Sequence, residues 1–294
     1  MQTKYIAIGH ITIDEIRGKG STELRLGGGV SYGALFAVGL GYSAEILSKV
    51  GTDFPREFVE FLRQAGVHLD HLHVVDGETT RFVIELERES IVSSLAARCD
   101  PVGIEDLNDL RGDIIHLGPV CSEIEHEVVL EALDRGNVVV LDLQGILRDF
   151  DEDGNLILRS DKLETLRGLD LVVHANKLES LAATGEEDVL RAAERLSDMF
   201  WIASITLGEE GAIISSPEGL IKATPPRVEV VDDVGAGDVF AAALGIALQR
   251  GDSLEDIARF SVASATASVM ARGPQIIPKK RIEEILRDVR ISWL

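Results

Sequence analysis

Asp238 is the residue of this chain best placed to do chemistry. It closes Asp232-Asp233-Val234-Gly235-Ala236-Gly237-Asp238, where a strand-like apolar run ends in acids, passes through Gly-Ala-Gly and opens an alanine-rich helix. Small residues let backbone approach a ligand closely, and the first amides of a helix have no partner within it. With the positive end of the helix dipole, those amides make a seat for phosphate. A carboxylate beside such a seat repels the anion unless it has a task. The obvious task is to take the proton from a hydroxyl that attacks phosphorus. An Asp that merely caps a helix after a glycine turn has the same appearance.

Other candidates are spread along the chain. Gly27, Gly28 and Gly29 precede Val30-Ser31-Tyr32-Gly33 and permit close backbone approach, though glycine clusters are also common structural turns. Asp14 follows the first strand, where the carboxyl ends of α/β strands face ligands. Asn176 and Glu179 share one face of a helical turn, a spacing that suits hydrated Mg²⁺. By themselves these two residues favour a capping box. Thr206, Gly208 and Gly211 end another strand, where they suit phosphate oxygens, a nucleotide or an ordinary turn. Asp142, Gln144 and Arg148 offer a carboxylate, an amide and a guanidinium for a polyhydroxylated ligand and its phosphate. His10, His116 and His174 lack metal-ligand spacing and read as core or rim residues. Neither a Ser-His-Asp order nor a Walker-type phosphate loop is present.

Elements that would position these groups follow from the apolar pattern. Short runs at 4–9, 43–50, 113–117, 138–143, 171–174 and 201–206 suit buried parallel strands. Helical patterns occupy 30–40, 55–65, 124–135, 186–199 and 237–250, with a helical tail at 254–269 and 279–289. The alternation predicts a single α/β domain over 1–294, with a doubly wound, mostly parallel sheet and helices on both faces. Residues 11–26 and 79–99 break the rhythm and predict a small β-sheet lid built by insertions. Pro217-Glu218-Gly219 is a hairpin turn between 212–215 and 220–223. The candidates all fall at or just after strand ends, where one crevice can collect them.

Composition narrows the partners. A net charge of −21 over 294 residues argues against nucleic acid and anionic membrane, but leaves room for a small anionic ligand at a local site. Cys99 and Cys121 are the two cysteines, which suits a reducing cytoplasm. The start runs straight into a strand, without the pattern of a signal peptide, and no apolar stretch is long enough to span a membrane.

Taken in order, these motifs resemble the ribokinase-type (PfkB) carbohydrate kinases over nearly the whole chain. The family's Asp-Thr-x-Gly-Ala-Gly-Asp matches 232–238 except at Asp233. The resemblance implies that Asp238 is the catalytic base and that Gly235, Ala236 and Gly237 form the anion hole. It matches Gly27 and Gly28 to the N-terminal Gly-Gly signature and Asp14 to the acid that binds substrate. Asn176 and Glu179 match the motif tied to Mg²⁺ and phosphate, with Mg²⁺ met through water. Thr206, Gly208 and Gly211 match the nucleotide-binding turn. In members that need K⁺, Asp232 with backbone oxygens around Val234, Ser268, Ala271 and Gly273 would hold it.

Together these imply an ATP-dependent kinase whose substrate binds Asp14, Gly27–Gly29, Gln144 and Arg148. Relatives often dimerise through the lid, so the resemblance also implies a homodimer there. Asp233 stands in place of the usual Thr, and Tyr32 in place of an Asn common in sugar kinases. Both point away from a simple ribose or fructose substrate. Ile8-Gly9-His10, Gly27-Gly28-Gly29 and Asp142-Leu143-Gln144-Gly145-Ile146-Leu147-Arg148 look most like the myo-inositol kinase branch. A nucleoside kinase is the alternative enzyme, which a 5% aromatic content disfavours. A non-catalytic sensor of nucleotide or sugar is the alternative outside catalysis.

Overall fold

A computed structural model describes residues 2–18, 21–86 and 91–294. The chain opens with β1 (Lys4–Ile8) and the antiparallel pair β2 (Thr12–Gly18) and β3 (Ser21–Gly27). It continues through α1 (Gly29–Leu40), β4 (Ser43–Gly51), α2 (Arg56–Ala65) and β5 (His68–Val75). A second antiparallel pair, β6 (Arg81–Leu86) and β7 (Ile91–Ala97), precedes β8 (Gly112–Leu117), α3 (His126–Arg135) and β9 (Gly136–Asp142). The short α4 (Gln144–Leu147) leads into a hairpin of β10 (Arg148–Phe150) and β11 (Leu156–Leu158). Then come β12 (Val172–Asn176), α5 (Lys177–Thr184), α6 (Val189–Ser197), β13 (Ile202–Thr206), β14 (Ala212–Ser216) and β15 (Gly219–Thr224). The last elements are α7 (Ala236–Arg250), α8 (Leu254–Ser268), α9 (Lys279–Leu286) and β16 (Arg290–Trp293).

The main sheet has the order β16-β15-β14-β13-β12-β9-β8-β1-β4-β5. Strands β13 through β5 in that order are parallel, and β14, β15 and β16 add an antiparallel edge. This is the doubly wound, mostly parallel sheet expected from the alternation of strand and helix patterns. Its strands are apolar on both faces because both faces are covered. Tyr5 and Ala7 of β1, with Val140 and Val172, pack into one layer with α1, α7 and α8. Ile6 and Ile8, with Leu141 and Val173, pack into the opposite layer with α3 and α6. From β1 the chain winds outward to β4 and β5, and β8 then returns on the other side of β1. That reversal opens a crevice at the carboxyl ends of the strands, where α/β sheets hold their ligands.

A separate sheet, in the order β3-β2-β6-β7, sits on its own small core. Ile16, Phe82 and Ile84 pack there against Val120 and Cys121, which follow β8. The small sheet is thereby fixed beside the carboxyl end of the main one.

Two edge strands escaped the sequence pattern. In β5, His68-Leu69-Asp70-His71-Leu72-His73 interleaves polar and apolar residues, because an edge strand is half exposed. In β16, four residues are too short to show a period. The helix expected over 186–199 is shorter, Val189–Ser197, and is capped by Asp188, whose carboxylate accepts the amides of Leu190 and Arg191.

Candidate active site

Parallel strands present their carboxyl ends at one edge. Asp142 is the last residue of β9, Asn176 of β12 and Thr206 of β13, and His174 pairs in register with Asp142. His174 Nδ1 lies 3.1 Å from Asp142 Oδ2, and its Nε2 lies 3.2 Å from Thr206 Oγ1. The ring also rests on Phe240 of α7, with centroids 5.4 Å apart. Burial opposes charge on His174, yet the charge and hydrogen bond of Asp142, helped by Glu179 and Asp238, raise its pKa. Burial pushes the Asp142 carboxyl up, and the facing His174 more than reverses this, so Asp142 stays below the usual range. Protonated, His174 donates from both ring nitrogens.

Above this pair lies the amino end of α7. Gly235 caps the helix with φ +80°, a left-handed conformation that suits glycine. The Ala236 amide turns back to Asp233 O at 3.3 Å. No backbone hydrogen bond among the described residues engages the amides of Gly235, Gly237 or Asp238. Those donors, at the positive end of a 15-residue helix, form an anion seat.

Asp238, in the first turn, has its carboxylate against Gly29, the first residue of α1, where a Cβ would collide with Oδ1. Two helix amino ends therefore meet at this carboxylate. Burial lifts its pKa to about 7; Asp142 and Glu179 add to the rise, while His174 and Arg148 restrain it. A carboxyl tuned to neutrality can both take and release a proton.

On one side of Asp238 opens a cleft of about 1220 Å³. Asn176, Glu179, Thr206, Gly208 and Gly211 line its polar part with Gly235–Asp238, and Gln144 lies there too. Val228, Val230, Val262, Ala265 and Val269 form an apolar wall. Asn176 and Glu179 make a reciprocal capping box, each side chain accepting the other's amide at 2.9 Å. Glu179 Oε1 also meets Arg148 Nη2 at 3.2 Å, and Arg148 Nε is buried without a partner among the described residues. With their oxygens already engaged, Asn176 and Glu179 suit a Mg²⁺ that keeps its water shell, as Mg²⁺ prefers.

On the other side, under the small sheet, Asp14 extends from β2 against Gly27. Thr12 Oγ1 donates to its Oδ1 at 2.7 Å. Burial raises the Asp14 pKa to about 6, against the pull of Thr12 and Arg25. Gly28 caps α1 with φ +85°, and Ser31 secures the turn by donating to Gly27 O. Tyr32 packs its ring on Gly235. Burial, then Asp14 and Asp238, push its phenol pKa upward, which places the ring between acid and base.

Most sequence candidates thus converge. Asp14 and Gly27–Gly29 lie on one side of Asp238, and Gln144, Asn176, Glu179, Thr206, Gly208 and Gly211 on the other. Arg148 reaches the group through Glu179. Asp232 is set apart, paired with Arg25 of β3. Two contributors were passed over in the sequence. By its sequence position His174 reads only as a core or rim residue, and in the structure it also braces the turn that carries Asp238; its one signal is a polar residue two positions before the Asn176 strand end. Arg25 stands directly opposite Asp14 in the β2–β3 register, a placement that only the fold reveals. His10, Cys121 and Glu123 also cluster, but in a structural role. Glu123 accepts the amides of His10, Val120 and Cys121, while the His10 ring uses Thr80 and Asp100 O.

Comparison with known proteins finds matches over most of the chain. Residues 4–281 match the family described as pfkB family carbohydrate kinase. A cytidine kinase of Thermococcus kodakarensis is 26% identical, covering 88% of this chain and 94% of that protein. An inositol 3-kinase of Arabidopsis thaliana is 26% identical, covering 87% and 70%. Among solved structures, a pyrophosphate-dependent kinase in the ribokinase family, complexed with a pyrophosphate analog and myo-inositol, superposes with a TM-score of 0.82. It is 23% identical and covers 96% of this chain and all of its own (100%).

Proposed function

This chain belongs to the pfkB family of carbohydrate kinases and is a phosphotransferase, and we propose that it moves the γ-phosphoryl group of ATP to a hydroxyl of a small polyol, with myo-inositol the first candidate. The observation that carries this reading is Asp238, a buried carboxyl near neutrality at the meeting of two helix amino ends, with a cleft on one side and Asp14 on the other. Asp14 and the Gly27–Gly29 backbone hold the acceptor, and Gln144, on the cleft side of Asp238, reaches toward the group being transferred. Asp238 takes its proton as attack begins, while the free amides of Gly235 and Gly237 meet charge on the transferring group. Bound Mg²⁺, held through water by Asn176 and Glu179, would neutralise phosphate charge. The small sheet acts as a lid that excludes water.

The apolar wall supports a donor that carries a base, whereas the solved relative's name specifies pyrophosphate. The polar acceptor side supports a polyol. The nucleoside reading rests on the cytidine kinase relative, and Tyr32 is the aromatic ring at hand to receive a base. Cys99 and Cys121 are buried and unpaired, which supports a reducing, cytoplasmic setting. Among the described residues no helix is long and apolar enough to cross a membrane. We place a homodimer on the edge strand β3, where Leu24 is exposed.

Product formation from Mg-ATP and from Mg-pyrophosphate, each with myo-inositol, pentoses, hexoses and nucleosides, tests the assignment. We expect phosphorylated myo-inositol from ATP. Turnover confined to nucleosides, or to pyrophosphate, would refute the acceptor or the donor respectively. Asp14→Ala should raise the acceptor KM by about 10–100-fold, the worth of a hydrogen bond to a charged group. The KM for ATP should be unchanged, and an equal rise in both would remove Asp14 from the acceptor site.

A further inference from the structure

Asp232 is where the family resemblance would seat a monovalent cation, and its surroundings do not fit one. Its Oδ1 accepts the Val234 amide at 3.2 Å, and its Oδ2 accepts the Gly273 amide at 3.1 Å. Arg25 Nη1 donates to the same Oδ2 at 3.3 Å. Two of the four backbone oxygens that would complete a cation shell are engaged as well. Ser268 O accepts the Ala271 amide at 3.3 Å, and Gly273 O accepts Gln275 Nε2 at 3.4 Å. Two amides and a guanidinium already supply the positive charge that the Asp232 carboxylate would otherwise draw from an ion.

Arg25 comes from the small sheet. It faces Asp14 across the β2–β3 ladder, and its Nε meets Glu23 Oε1 at 3.1 Å. Glu23, two residues earlier on the same face of β3, also accepts Arg272 Nη2 at 2.8 Å. One strand of the small sheet is therefore fastened at Asp232, where the anion-hole turn begins, and at Arg272, in the loop whose Gly273 amide also binds Asp232. A planar guanidinium can hold Asp232 and Glu23 together, which a compact ammonium cannot do as well.

We propose that Arg25 is a positioning residue that takes the place of the monovalent cation, neutralising Asp232 beside the anion hole and tying β3 to it. The enzyme then works without K⁺. Closure of the small sheet over an acceptor on Asp14 and alignment of the anion hole become one event.

The rate measurement rests on the kinase reading, and cation binding does not. In equilibrium dialysis with rubidium as a stand-in for K⁺, the wild-type chain should bind none above background. Its turnover should be equal in potassium chloride and choline chloride at matched ionic strength. Arg25→Ala should lose about 10–100-fold in kcat in choline chloride. It should also bind rubidium and recover part of the rate with potassium chloride. Arg25→Lys keeps the charge and should stay insensitive to potassium, and equal melting curves for all three proteins would exclude misfolding. Specific rubidium binding by the wild-type chain, or an Arg25→Ala enzyme with wild-type kcat in choline chloride, overturns the proposal. Were no acceptor in the panel turned over, dialysis alone would decide it.

Discussion

Asp238→Asn lowers kcat by roughly 10²–10⁴-fold, the range for loss of a general base, and leaves the KM values for ATP and acceptor near those of the wild type. An amide has the shape of the carboxylate, so α7, Gly29 and the anion hole keep their places, while a base that accepts the hydroxyl proton is lost. The wild-type rate should rise with pH through about 7, where the buried carboxyl ionises. That limb is absent from the residual rate of the variant. Stability moves the opposite way. The folded pKa is raised from 3.8, so the native state holds a proton that the unfolded chain gives up. The stabilisation from that proton is fully present below pH 3.8 and is lost as pH rises through about 7. Asn has no charge to desolvate. The variant should therefore melt higher than the wild type above pH 7, with the gap closing toward pH 4. Calorimetry at both ends of this range, beside kcat–pH profiles, checks both signs. A variant that kept the wild-type rate would end the assignment of Asp238 as base.

The parts legible in sequence were those with a local signature. Helix starts, buried strands and glycine turns carry their causes within a few residues, so β1, β9, β12 and β13 and the Gly235–Asp238 turn could be placed before the structure was known. What could not be read are partnerships that exist only across the fold. His174 gains its place from pairing with Asp142 on the next strand and from Gly237 above it, 63 positions later in the numbering. Beyond a polar residue two positions before the strand end, nothing near His174 in the chain announces this. Arg25 and Asp232 lie 207 residues apart, and a charged residue on an alternating strand ordinarily reads as a solvated face. The capping box at Asn176 and Glu179 shows another limit. Its residues could be read in sequence as a helix start or as a Mg²⁺ motif, and in the structure they make the cap while also lining the cleft. A single carboxylate can orient a helix and line a cleft together, so the cap does not speak against the Mg²⁺ motif.

Gly235→Ala should lower kcat by roughly 10²–10³-fold, as expected when an oxyanion-hole donor is displaced. Two causes act at this residue. Its φ of +80° costs an L side chain about 1–2 kcal/mol, which a stable domain tolerates. The larger cause is steric, since a Cβ here would enter the ring of Tyr32. Tyr32 is buried, with 7% of its surface exposed, so it cannot swing freely into solvent. Either the ring moves toward Asp14 or the turn moves away from α1, and both shift amides that must meet the phosphoryl oxygens. Displacement of the ring would raise the acceptor KM, and displacement of the turn would lower kcat. The double variant Gly235→Ala with Tyr32→Ala separates steric from backbone effects. Removing the ring makes room for the methyl group, so the double variant should recover much of the kcat lost in Gly235→Ala, and the two changes should be strongly non-additive. A double variant no faster than Gly235→Ala alone would show that the left-handed backbone governs the anion hole and that the contact with Tyr32 does not.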